Sequence, residues 1–405
     1  MKKASFLALI LVVLGVFNLH ANGNGEKKAE VKDVESKKLT LWVYDSGRVE
    51  VLTEVGKKFE EEYGVAVEVA LVDLSQIRTQ MLLASGGAEA ADLAIIPHDN
   101  LGGLVSNDAV LEIDLGSKKD KYLQSAIDGF TYNGKLYGLP LAVENIGFFY
   151  NKDMVKTAPK TWDEVYAVGS KLVKDGKAEY IMGYPDATYN IFPVYTANGG
   201  YIFGKDTNGV PNAKDIGLNK AGFVKGLEWL TKLVKEGYAP EVVDWDGAHV
   251  LFESGKAPFI STGPWALNRF KEAGVNYEIA PFPDNGAPFL GVQGVIVSSA
   301  SKNALLAATF ATEYLATEET MMKLFDAEKR PSAWKTIFEN SGDKDALGFN
   351  AAGSKAVPMP SIPEMGFVWD AWVNAAALSF SGELTSQDAL NNAVVQIETQ
   401  IAESK

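Results

Sequence analysis

The sequence predicts an α/β fold in two domains, and three observations lead there. Strand-like and helix-like segments alternate along the chain, which is the pattern of α/β proteins. Its 405 residues exceed what one compact core usually holds. Apolar residues recur in short runs or at helical spacing, with no repeat of solenoid length.

The elements follow in order. Residues 39–44 read as the first strand. Val51, Leu52, Val55 and Phe59 recur at helical spacing, and Gly64 ends that helix because glycine tolerates the left-handed cap conformation. Residues 65–72 read as a strand, 77–84 as a helix and 91–96 as a buried strand. Asn133-Gly134 separates two short β-prone runs and predicts a tight hairpin, since both residues accept positive φ. Thr161-Trp162-Asp163-Glu164 is a capping box opening a helix. Phe223, Leu227, Leu230 and Val234 mark another helix, which Gly237 ends. Residues 292–298 re-enter a sheet, Leu306, Phe310 and Tyr314 form a helix, and Leu390, Val394, Ile397 and Ile401 mark the last one.

The N-terminus predicts export. Lys2 and Lys3 precede an apolar run over residues 6–17, then small residues, so a signal peptide cut after Ala21 is expected (1–21). The run is shorter than the ~20 apolar residues of a membrane span. Residues 22–37 mix charges with few apolar side chains and predict a disordered leader. With no cysteine there is neither a disulfide nor a thiol for a lipid anchor, so a free, monomeric periplasmic protein is expected. A net charge of −14 repels phosphates, which argues against nucleic acid and anionic membrane partners.

Several chemistries are missing from the sequence. Only His20, His98 and His249 are present, too few for a zinc set without cysteine, so no metal is expected. No G-x-S-x-G and no G-x-G-x-x-G occurs, and no cofactor is expected. Residues 199–205 (GGYIFGK) approach a phosphate loop, but Asp206 stands where Ser or Thr must bind magnesium. Residues 206–209 (DTNG) read as a plain turn. What remains is aromatic and acidic residues on predicted loops. That combination suits a neutral, hydroxyl-rich ligand: rings cover the apolar faces of a sugar, and carboxylates accept from its hydroxyl rim.

From about Lys38 onward, ordered stretches carry a family resemblance. They include residues 38–42 (KLTLW), 54–59 (EVGKKF), 132–136 (YNGKL), 150–153 (YNKD), 159–164 (PKTWDE), 263–265 (GPW) and 360–363 (PSIP). The chain resembles the periplasmic maltose/maltodextrin-binding proteins and, more broadly, the carbohydrate-binding subunits of ABC importers. The resemblance implies a periplasmic-binding-protein-like α/β fold, with two lobes, a hinge and an interlobe cleft. The expected lobes are 38–142 plus 295–316 and 147–290 plus 321–405, with crossings near 143–144, 291–294 and 317–320. It implies capture of maltose or a maltodextrin, maltotriose above all, and delivery to the membrane permease subunits of an ABC importer.

The resemblance also implies site residues. Asp99 and Glu144 would accept sugar hydroxyls, while Tyr189, Trp265 and Trp369 would stack on sugar faces. Departures are several. Tyr44, Asp45 and Arg48 stand in a loop where the family has an acid followed by a lysine, and Asp45 with Arg48 substitutes for that pair. Ile96 replaces a tryptophan, Asn100 an arginine, Ala187 a glutamate and Asn190 a phenylalanine. Asp370 and Val373 replace a tyrosine and an arginine. Fewer charged and aromatic contacts leave another glucoside, such as trehalose, open. Trp42, Trp162 and Trp229 are expected in the core. Trp369 and Trp372 share a helix face, one stacking and one packing. A glycosidase using Asp99 and Glu144 is the competing class, and a binding protein for a peptide, polyamine or metal ion is a third.

Overall fold

The computed structural model describes residues 38–84, 90–206, 210–242, 244–340 and 344–404. The expected signal peptide (1–21) and leader (22–37), and residues 207–209 of the expected turn, lie outside them.

The chain opens with β1 (Lys38–Val43), α1 (Gly47–Tyr63), β2 (Ala66–Leu71), α2 (Leu74–Ala84) and β3 (Leu93–Pro97). Strand β1 pairs in parallel with both β2 and β3. Helix α1 buries Leu52, Val55 and Phe59, and Gly64 closes it at φ 66° with its N–H on Glu60 O. The Asn133-Gly134 hairpin forms, with φ of 50° and 79°. Strand β4 (Leu139–Glu144) is buried along its whole length and leads out of this first core.

A second core follows around β5 (Gly147–Asn151), β6 (Met182–Gly183), α3 (Trp245–Glu253), β7 (Phe259–Thr262) and β8 (Tyr277–Ala280). Its sheet runs β8-β5-β7-β6. Thr161 caps the helix Trp162–Lys174 by accepting from Glu164 N, while Glu164 reaches back to Lys160 N, one residue earlier than a capping box requires. The near-phosphate loop ends in a strand, Phe203–Lys205, that pairs antiparallel with Pro211–Ile216, where a phosphate loop would lead into a helix. Strand β9 (Phe289–Val297) returns to the first sheet, antiparallel to β3 and β4. Beyond it come an α-helix (Ala304–Thr309) that continues as a π-helical turn (Phe310–Leu315), then α4 (Glu318–Glu328), β10 (Val357–Pro358) and α5 (Val368–Ser381). The last helix spans Ser386–Glu403.

Two hydrophobic cores result among the described residues. The first gathers Leu39, Leu52, Ile95, Phe130, Val295 and Phe310, and the second Phe148, Trp162, Phe223, Phe252 and Trp372. Trp162 packs on Trp229 at 5.2 Å, and Trp42 lies partly buried against the first core. The chain passes between cores at residues 143–146, 289–292 and 337–349. The first two passages involve residues 143–144 and 291–292, which the sequence reading also names. The third lies further on than residues 317–320, because Thr317 caps α4 and keeps it in the first core. Met321, Leu324, Trp334 and Ile337 all pack there, and Lys323 pairs with Glu54 on α1 at 2.6 Å. The stretch expected to begin the second lobe at 321 thus carries first-core side chains.

Candidate ligand-binding cleft

Between the cores lies a cleft of about 990 Å³. One side is formed by the loops that leave the carboxyl ends of the parallel strands: Tyr44 and Asp45 after β1, Asp73 and Ser75 after β2, Asp99 and Asn100 after β3. Open α/β sheets bind ligands at that edge, because side chains there are aimed outward by fixed backbone. The floor comes from Glu144 at the end of β4, Gln293 on β9 and Arg330 beyond α4. The other side is aromatic: Tyr189, Trp245, Trp265 and Trp369.

A buried charge network builds the floor. Arg330 is 4% exposed and pairs with Glu144 through Nη1, with Asp45 through Nη2 at 2.6 Å, and stands 3.1 Å from Glu328 through Nε. Its guanidinium also lies 5.0 Å from the Trp265 ring centroid, joining floor to aromatic side. Gln293 donates to Glu144 Oε1 at 2.7 Å and accepts from the Tyr44 hydroxyl. Burial alone would raise the Asp45 carboxyl, but Arg330 and Arg48 hold it below the usual carboxylate range. Burial, then Glu144, keeps the Tyr189 hydroxyl protonated and able to donate.

Asp99 behaves differently. Trp369 Nε1 donates to its Oδ2 at 3.3 Å and Asn100 Nδ2 to its Oδ1 at 3.1 Å. Burial outweighs the pull of nearby Arg78 and pushes its carboxyl up to about 6. The Trp369 bond spans the cleft from one core to the other. On the aromatic side, Asp186 accepts from Thr188 N at 2.8 Å and from the Asn190 amide, which fixes the turn bearing Tyr189. Asn190 Oδ1 is buried with no hydrogen-bond partner among the described residues, an acceptor left for a ligand donor. Tyr189 stacks on Phe289 at 5.9 Å, and Trp369 on fully buried Trp372 at 6.1 Å.

Nine of the eleven residues named from the sequence thus line one cleft: Tyr44, Asp45, Asp99, Asn100, Glu144, Tyr189, Asn190, Trp265 and Trp369. Two do not. Arg48 starts α1 and points behind the floor, 1% exposed, with Nε on Glu328. Asp370 is exposed, since one residue along a helix turns the side chain by ~100° from Trp369. Ile96 is fully buried in the first core, so no ring replaces the missing tryptophan there. Among the described residues no cluster of His, Cys, Asp or Glu is placed to hold a metal ion.

The family described as bacterial extracellular solute-binding protein matches residues 54–346, more than half of the chain. The chain belongs to that family. A galactooligosaccharide-binding protein of Bacillus subtilis is 31% identical, covering 99% of this chain and 97% of its own. A maltooligosaccharide ABC transporter solute-binding lipoprotein of Streptococcus pneumoniae is 30% identical, with 98% and 95% covered. A maltotriose-binding protein of Pyrococcus abyssi is 27% identical, with 78% and 72% covered.

In this solute-binding protein, sequence reasoning missed Arg330, Gln293, Trp245, and Asp73, Leu74, Ser75 and Arg78. Gln293 had a signal, a lone amide in the otherwise apolar strand Phe289–Val297. Asp73 and Ser75 directly follow a parallel strand, which the strand-end rule flags. Trp245 follows the capping residue Asp244, a loop-to-helix position where an aromatic is easily left exposed. Arg330 had none, because Glu144 and Asp45, the partners that place it in the floor, lie 186 and 285 residues away in the chain.

Proposed function

We propose that this protein captures a neutral oligosaccharide, a short maltodextrin such as maltotriose, and delivers it to the permease of an ABC importer. The observation that carries the reading is the pairing of sides: indole and phenol rings face carboxylates and amides across one cleft. Rings stack on the C–H faces of pyranoses, while Asp45, Asp99 and Asn190 accept from hydroxyls. Relatives named for maltooligosaccharides, maltotriose and galactooligosaccharides support the class. Closure of the two lobes about the crossing strands β4 and β9 would follow from contacts that only a ligand bridging both sides makes.

The reading is of a binding protein rather than a glycosidase. Hydrolysis needs a carboxylic acid free to protonate the leaving oxygen. Among the described residues Asp99 alone has a raised carboxyl, and the second group that hydrolysis requires is missing, since both oxygens of Glu144 are engaged, one by Arg330 and one by Gln293. The sequence carries no cysteine, hence no thiol for a lipid, in keeping with a protein free in the periplasm; we read it as acting as a monomer. Calorimetric titration with maltose, maltotriose, longer maltodextrins, galactooligosaccharides and trehalose tests this. Saturable one-to-one binding of a maltodextrin with no shortened product is expected. Turnover, or binding of none of these sugars, overturns it.

A further inference from the structure

His249 sits outside the cleft, fully buried on α3, and nothing in the binding scheme above uses it. Its contacts form a directed chain. Trp265 Nε1 donates to Thr262 Oγ1 at 3.1 Å, because an indole N–H can only donate. Thr262 Oγ1 lies 2.9 Å from His249 Nε2, and His249 Nδ1 lies 2.7 Å from Trp245 O. A carbonyl only accepts, so Nδ1 carries the ring proton. Burial holds the ring neutral, with its pKa down at about 4, so Nε2 is bare and accepts the threonine hydroxyl. The charged groups around it do not offer a substitute partner. Asp246 and Glu253 on its own helix are taken up by Arg269 on the next helix, at 3.1 and 2.5 Å.

The chain begins and ends on the two tryptophans of the cleft. Trp245 and Trp265 stand 5.8 Å apart with their planes at 38°. Trp265 is a half-buried ring on a short turn, and Trp245 is 43% exposed at a helix start, so neither is locked by packing alone. We propose that His249 is a positioning residue: through Thr262 it fixes the Trp265 indole, and through the Trp245 carbonyl it fixes the start of α3, so that both rings form one platform for consecutive sugar units. This rests on the oligosaccharide reading, which it deepens by naming what sets the ring geometry.

The experiment compares wild type with His249→Leu, Thr262→Val, the double variant and His249→Gln, using maltotriose in calorimetry. Each of the first two should weaken binding roughly fivefold to tenfold, the usual worth of one lost hydrogen bond. The double variant should be no weaker than either single one, since both cut the same chain. His249→Gln keeps an acceptor for Thr262 and should bind within about twofold of wild type. Near-ultraviolet circular dichroism gives a ligand-free readout: His249→Leu should alter the tryptophan bands, and that change should vanish in a Trp265→Phe background. Unchanged affinity and unchanged bands in a folded His249→Leu or Thr262→Val protein, or additive losses, overturn the proposal. If wild type binds none of the sugars, the oligosaccharide reading fails, and the dichroism alone still decides whether His249 sets the rings.

Discussion

On the floor of the cleft, Arg330 ties Asp45, Glu144 and Glu328 together in a space nearly closed to water. On the facing side, Trp245, Trp265, Tyr189 and Trp369 form a band of rings that rest on one another and on Phe289 and Trp372. The two regions are held by different physics. Charges in a low dielectric fix one another strongly, yet the loss of one partner strands the rest. Rings gain from area and geometry in small increments, so each is replaceable for folding but not for binding. The difference separates two roles: floor residues should matter to stability first and affinity second, and ring residues the reverse.

The largest expected effect breaks the floor. Arg330→Met leaves three carboxylates around Arg48 alone and should destabilise the protein by about 3–5 kcal/mol, read by urea unfolding. Adding Glu144→Gln should recover part of that loss, because the stranded charge is removed with its partner. A loss below ~1 kcal/mol for Arg330→Met would mean that water reaches the network and that the floor is not stabilised by its ion pairs.

Next in size is Trp265→Ala. It should weaken maltodextrin binding by about 2 kcal/mol, roughly thirtyfold, while leaving the fold two-state in urea. Equal affinity in calorimetry would remove Trp265 from the binding surface. A large stability loss with unchanged affinity would invert the contrast between floor and rings.

Asp99 links the two regions and has a signature of its own in pH. Its folded pKa, about 6, lies above the usual carboxylate value, so at neutral pH its charge disfavours the fold, and protonation below pH 6 relieves this. His98 and His249 act in the opposite sense. Burial holds each at about 4, below the ordinary imidazole value of 6.5, so stability falls as the pH drops from 6.5 toward 4. Asp99→Asn should therefore be stabilised relative to wild type at pH 7, with the difference shrinking as the pH falls to 4.5. Thermal melts at the two pH values check it, and a constant difference would place Asp99 in a wet environment.

How much of this was legible in the sequence follows the same division. Three of the four rings are legible in the sequence, Trp265 after Gly263-Pro264 and Trp369 by its spacing to Trp372 among them, while Trp245 at a helix start is not. The elements were readable because caps and apolar periods are local, as at Gly64, Asn133-Gly134 and Thr161. Glu144 and Asp45 of the floor were named, but Arg330, which joins them, was not, since a buried arginine looks like a surface arginine until its distant partners are brought to it. Arg48 shows the reverse error: it was expected in the cleft beside Asp45, but the first turn of α1 carries it behind the floor to Glu328. The third crossing was misplaced for a related reason. Residues 317–320 look like a loop end, yet Thr317 accepts from Thr320 N at 3.2 Å and starts a helix instead.

The smallest expected effect tests how sharply the aromatic side ends. Asp370 neighbours Trp369 in sequence and replaces a residue that the resemblance places at the sugar. It is exposed, and it does not line the cleft. Asp370→Ala should leave maltodextrin affinity within about twofold and stability within ~0.5 kcal/mol, as surface substitutions do. Trp369→Ala, one position earlier, should lose both the ring and the N–H that reaches Asp99 across the cleft. Measured side by side, the pair separates position on the helix from proximity in sequence. A loss on Asp370→Ala comparable to that on Trp369→Ala would mean that the ligand wraps around α5, and that the cleft is wider in its bound form than the two facing sides define.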